Sequence, residues 1–104
     1  MQTDPNDTQE LSAEIVALLD APSGGDGSPS LSDLEDTLTT GYARALALEA
    51  ERARIERRLT GATDHDLAEQ QSRLAEVERS LTDLRRLLAP LRSRARTART
   101  LQIS

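Results

Sequence analysis

The sequence predicts an all-α protein, an antiparallel two-helix coiled-coil hairpin with a disordered acidic N-terminal arm and a basic C-terminal tail. Three observations lead to this fold class. Tyr42 is the only aromatic residue among 104, so aliphatic side chains supply the apolar volume, which disfavours sheets. Leucine and alanine recur with a seven-residue period in two consecutive segments separated by a glycine. Finally, acidic and basic residues are sorted along the chain.

The first 30 residues are predicted to form a flexible acidic arm. Residues 1–43 contain nine acidic residues and no basic one, and residues 21–30, APSGGDGSPS, have the composition of a linker. Between them, residues 9–20 place Leu11, Ile15, Leu18 and Leu19 at helical spacing. Because an isolated helix this short is marginal in water, we expect it either to fold into the groove of a partner or to dock on the chain's own hairpin.

Residues 31–60 and 64–96 are predicted to be the two helices of the hairpin. Ser30, three residues before Asp33, is a typical N-terminal cap for the first helix. Gly61 is expected to end that helix in the left-handed conformation, and Thr63 or Asp64 is expected to cap the second helix. Together the two helices and their turn would form one domain spanning residues 31–96.

The two heptad patterns predict how the helices face each other. In an antiparallel pair the numbers of facing residues have a constant sum, here near 126, so Leu48 meets Val77 and Gly41 meets Leu84. Gly41 in mid-helix is interpreted as a point of close packing. Arg52 also falls on the seam, and we expect its head group to extend toward a neighbouring glutamate.

The end of the second helix is basic and contains Pro90, which predicts a kink or a stop near residues 87–89. Residues 97–104 are expected to be a frayed basic tail. The arginines of this basic region are Arg85, Arg86, Arg92, Arg94, Arg96 and Arg99. They could contact nucleic acid phosphates, fold back on the acidic arm, or dock on an acidic protein. The last two roles rank above the first because no aromatic residues interleave the arginines.

The residue inventory argues against enzymatic chemistry. The chain has no cysteine, and His65 is its only histidine, which excludes thiol nucleophiles and most zinc sites. His65 is interpreted as a solvated residue of the hairpin turn. No catalytic, metal-binding or cofactor-binding residue is predicted, and no cofactor is expected. The chain also lacks a secretory signal and a run of about 20 apolar residues, so we expect a cytoplasmic protein without a membrane partner.

A second apolar stripe on the first helix predicts a protein partner. It lies outside the seam and, together with the apolar face of the arm, provides the predicted partner-binding residues: Leu11, Ile15, Leu18, Leu19, Tyr42, Leu46, Ala50 and Ala53. A homodimer forming a four-helix bundle is the simplest way to cover the stripe. The predicted function is a small regulator or adaptor that binds a protein of unknown identity. The alternatives are a nucleic-acid-associated protein that uses the arginine-rich tail and a structural oligomerisation unit.

Overall fold

The computed structural model describes residues 5–22 and 27–103, and these residues form three helices. The helices are α1 (Pro5–Asp20), α2 (Leu31–Thr60) and α3 (Asp64–Ile103). α2 and α3 form the predicted antiparallel pair, and α1 lies against them, parallel to α3. The all-α class is therefore confirmed, but a two-helix hairpin is too simple a description because α1 adds a third helix. Residues 1–4, 23–26 and 104, from the predicted arm, linker and tail, lie outside the described residues.

α1 is packed against the hairpin. It begins at Pro5, earlier than the predicted start at residue 9; proline suits the first turn of a helix because its φ angle is preset and its missing N–H has no helical partner there. Leu11 and Ile15 are 5% and 0% exposed and belong to the same core as the leucines of the hairpin. The predicted disorder therefore does not extend to Pro5–Asp20, which adopts the docked alternative.

The ends of α2 match the sequence prediction in one case and differ from it in the other. The Asp33 N–H donates to Ser30 Oγ at 3.0 Å, which confirms the predicted N-terminal cap. Gly61 caps the other end with φ −110°, so the prediction of a left-handed residue there is wrong. The Gly61 N–H instead donates to the Arg58 carbonyl at 3.2 Å. After this turn the Thr63 carbonyl accepts from the Leu67 N–H at 2.9 Å, the first helical bond of α3.

The core follows the predicted seam closely. Its buried residues from the hairpin are Leu34, Leu38, Ala45, Leu48, Ile55, Val77, Leu81, Leu84, Leu88, Leu91 and Ala95. Gly41 is a point of close packing, as predicted, because a Cβ added to it would overlap Leu88 Cδ2 and lie 3.5 Å from Leu88 Cγ. The nearest side chain to Gly41 is thus one turn beyond the predicted partner, Leu84. This shift has a geometric cause: because a straight helix has 3.6 residues per turn, facing residues drift from an ideal seven-residue repeat as their distance from the hairpin loop increases.

α3 continues through Pro90 to Ile103, so of the predicted kink or stop near residues 87–89 the stop does not occur. The helix also extends past the predicted end at residue 96. Pro90 is exposed and removes one main-chain hydrogen-bond donor from the helix interior. Beyond it, Leu91 and Ala95 are buried in the core, so tertiary packing holds the helix on both sides of the proline. This burial offsets the local preference for a break.

The hairpin has a thicker and a thinner part. Where α1 packs, the structure is three helices thick. Thr8 of α1 lines a cavity there together with Leu48, Glu51 and Val77. Between Ile55 and Val77 no residue is buried, and this tip is a two-helix stem. Arg52 lies near the boundary, with its Nε 3.5 Å from Glu56 Oε1, as expected for an arginine that reaches out of the seam.

Candidate partner-binding surface

The hairpin has two different sides. α1 covers one side of the α2–α3 seam. On the other side, no described residue of α1 lines the surface, and α2 and α3 form a furrow that we call the open groove. Its floor consists of Tyr42, Ala45 and Leu46 from α2 and Leu88 and Ala89 from α3. The groove is therefore built from the edge of the core seam and from small side chains beside it.

Half of the predicted partner-binding residues lie at or beside the open groove. Tyr42 is 42% exposed and Leu46 is 66% exposed. Ala50 and Ala53 are also exposed and continue the same face of α2 toward the tip. These four residues form a continuous accessible stripe because they are spaced by three or four residues along one helix.

The other predicted partner-binding residues are part of the chain's own core. Leu11 and Ile15 are buried, and Leu18 and Leu19 are partly buried against the same cluster. They lie on the covered side and are not brought together with Tyr42 and Leu46. Partner binding through α1 stays a prediction, and it would require α1 to leave the hairpin first.

Arg94 joins the basic end of α3 to the C-terminal end of α1. Its Nη1 donates to the carbonyls of Leu18 and Leu19, the latter at 2.8 Å, and its Nη2 donates to those of Ala21 and Pro22, the latter at 2.7 Å. α1 has no basic residue in its own last turn. Arg94 therefore satisfies carbonyls that the helix leaves without partners and complements the negative end of its dipole. The contact is to main-chain oxygens rather than to the acidic side chains of the arm.

Two further tail arginines pair with glutamates of α2. Arg85 contacts Glu49, and Arg99 Nη2 lies 2.9 Å from Glu35 Oε2. In both pairs the residue numbers sum to 134, so the antiparallel frame extended to positions beside the seam could have found them. Because the side chains are largely exposed, each pair contributes little to stability, but each neutralises one arginine.

The remaining tail arginines are exposed. Arg92 and Arg96 line the open groove between the two ion pairs. Neither has an acidic partner among the described residues. Arg86 is exposed on α3 and does not line the groove. The tail therefore contributes free positive charge mainly to one side of the hairpin.

Residues 5–22 and 27–103 contain neither a metal-binding cluster nor a membrane-spanning helix. No group of three or more histidine or acidic residues there is placed to hold a metal ion. His65 lies exposed in the first turn of α3, next to the hairpin turn. No helix in these ranges combines the length and apolarity needed to cross a bilayer.

Comparison with known proteins gives no match: no protein-family model, no curated protein and no solved structure matches the chain. The surface is therefore interpreted from its own residues, which combine an apolar floor with an arginine-rich rim.

Proposed function

We propose that this chain is a non-enzymatic protein-interaction module, a small cytoplasmic regulator or adaptor that binds a protein partner through its helical hairpin. The open groove carries the proposal. Leu46 is 66% exposed beside Tyr42, and Glu49, Arg85 and Arg92 border the two side chains. A contiguous apolar strip bordered by charge is typical of an association site rather than of chance exposure.

The nucleic-acid alternative has less support from the arginine-rich tail. Arg94 is occupied by the end of α1, and Arg85 and Arg99 are paired with glutamates. These glutamates would also repel phosphates at both ends of the groove. Affinity for nucleic acid depends on the number of arginines free to replace counterions, and that number is reduced here.

A homodimer stays a prediction. The sequence predicts it as the simplest way to cover the apolar stripe of α2, and α1 leaves Tyr42 and Leu46 of that stripe exposed. A second copy could still cover Leu46, Ala50 and Ala53 on the outer face of α2. Sedimentation equilibrium over a range of concentrations measures this directly, and a monomer throughout would refute the dimer.

Site-specific photocrosslinking in the host cell tests the interaction module. A photoreactive amino acid at position 46 should give one defined protein adduct, identified by mass spectrometry. The matched control is position 101, because Leu101 is 69% exposed and lies outside the open groove. The same adducts at both positions, or none at position 46, would contradict the proposal.

A further inference from the structure

We infer that the open groove binds an acidic amphipathic helix of about four turns from a partner protein. This inference rests on the proposed function and specifies the chemistry of the partner. It follows from the length of the groove, from the charge of its rim, and from the way in which the hairpin already holds α1.

The length of the groove matches a short helix. Two adjoining cavities share Tyr42 and Arg92, so the groove is continuous from the Glu49–Arg85 pair to the Glu35–Arg99 pair. Glu35 and Glu49 are separated by 14 residues of α2, or about 21 Å at 1.5 Å per residue. Along the floor, Ala45 and Ala89 are small enough for a helix to approach closely.

The rim of the groove selects for negative charge. It carries four arginines and two glutamates, a net charge of +2 on a chain whose net charge is −5. Arg92 stands near the middle and Arg96 nearer to Arg99, and neither has an acidic partner among the described residues. Glutamates or aspartates beside the apolar stripe of a bound helix would pair with them, which favours an acidic partner over a neutral or basic one.

α1 provides a model for the bound helix. It is acidic, has no basic residue among its described positions, and buries an apolar stripe containing Leu11 and Ile15 against the same hairpin. An arginine of α3, Arg94, binds its C-terminal carbonyls. The open groove offers the same combination of seam leucines and arginines on the opposite side. A second acidic helix seated there would complete a four-helix bundle.

Charge disfavours other occupants of the groove. A second copy placed groove to groove would bring two surfaces of like net charge into contact, because a two-fold interface repeats the same patch on both sides. Nucleic acid would meet Glu35 and Glu49 as well as the arginines. An acidic helix avoids both conflicts when its carboxylates lie opposite Arg92 and Arg96 and uncharged residues lie opposite Glu35 and Glu49. Its apolar stripe then covers the floor.

Tyr42 makes the groove directly observable. It is the only aromatic residue of the chain, so the intrinsic fluorescence of the full-length protein reports on the groove alone. The probe is a synthetic 18-residue peptide without aromatic residues, with leucine at helical spacing, glutamate in the turns that face Arg92 and Arg96, and uncharged polar residues elsewhere. Two companion peptides carry glutamine or lysine in place of glutamate. We expect the acidic peptide to change the Tyr42 emission saturably and to bind more weakly as salt is added.

Two charge-reversal variants locate the binding. Arg92→Glu removes a rim charge, and Arg86→Glu makes the same charge change outside the groove; both side chains are exposed, and circular dichroism checks that both variants stay helical. We expect Arg92→Glu to weaken binding of the acidic peptide about tenfold or more and Arg86→Glu to weaken it less than about threefold.

Four results would overturn the inference. They are equal weakening by both variants, no change in emission up to millimolar peptide, equally tight binding of the glutamine or lysine peptide, and self-association of the chain that the peptide displaces. Binding of the neutral or basic peptide at Tyr42 would reject the acidic class while leaving the interaction module intact. The photocrosslinking at position 46 tests that module independently.

Discussion

Replacing Arg94 with alanine should weaken the docking of α1 on the hairpin. The substitution removes a guanidinium that donates to four main-chain carbonyls at the end of α1, and no basic side chain in the last turn of α1 can replace it. The core residues Leu11 and Ile15 stay in place, so the hydrophobic contact of α1 is unchanged. The variant therefore isolates the contribution of the hydrogen bonds from Arg94 to the carbonyls at the end of α1.

The size of the effect follows from the contacts. Four hydrogen bonds at about 1 kcal/mol each contribute about 4 kcal/mol. Holding a long arginine side chain in one geometry costs about 2 kcal/mol of rotamer entropy. The net contribution of Arg94 to the docked state is therefore about 2 kcal/mol. Its loss corresponds to about a 30-fold change in the docking equilibrium.

Amide hydrogen exchange measures α1 docking residue by residue. We expect protection of the α1 amides to fall about 30-fold in Arg94→Ala, while amides around Leu84 in α3 lose less protection, because α1 can open without global unfolding. Arg99→Ala is the matched control, since it removes an arginine of the same helix that makes one exposed ion pair and should cost less than about 1 kcal/mol. Unchanged α1 exchange, or equal effects of the two variants, would refute the role of Arg94.

Three further predictions concern the hairpin and are tested by urea denaturation. Pro90→Ala restores a main-chain donor inside α3 and should stabilise the protein by about 1 to 3 kcal/mol; an unchanged midpoint would mean that α3 has already adapted to the proline. Gly41→Val should destabilise it by about 2 kcal/mol because the new side chain meets Leu88, and adding Leu88→Ala should cost less than the sum of the two single changes; strict additivity would argue against this contact. Glu49→Gln breaks the exposed pair with Arg85 and should cost less than about 1 kcal/mol, so a loss above about 2 kcal/mol would show a larger role for the pair.

Short-range patterns predicted much of the fold. The leucine repeat identified most of the core because burial of an apolar stripe dominates helix packing, and Ser30 marked the start of α2 because a cap depends on residues three apart. Pro90 shows the limit of such reasoning. The local preference for a break is overridden by the burial of Leu91 and Ala95, which depends on α2.

The position of α1 could not be predicted because its apolar stripe fits the chain's own hairpin and a partner's groove equally well. The polar contact at its end joins Arg94 to Leu19, which are 75 residues apart in the sequence. The candidate surface was found in part: Tyr42 and Leu46 were identified from the stripe outside the seam. The arginine rim was not identified, although the antiparallel frame extended beside the seam would have paired Arg85 with Glu49 and Arg99 with Glu35.

The thin stem beyond Ile55 and Val77 gives this protein a region whose length can change independently of the rest. No residue between those two is buried. Adding seven residues on each side of the turn would extend the stem by about 10 Å and keep the seam in phase. The groove and the α1 contact would be unaltered, so reporter peptides or new loops could be inserted at this end without disturbing either.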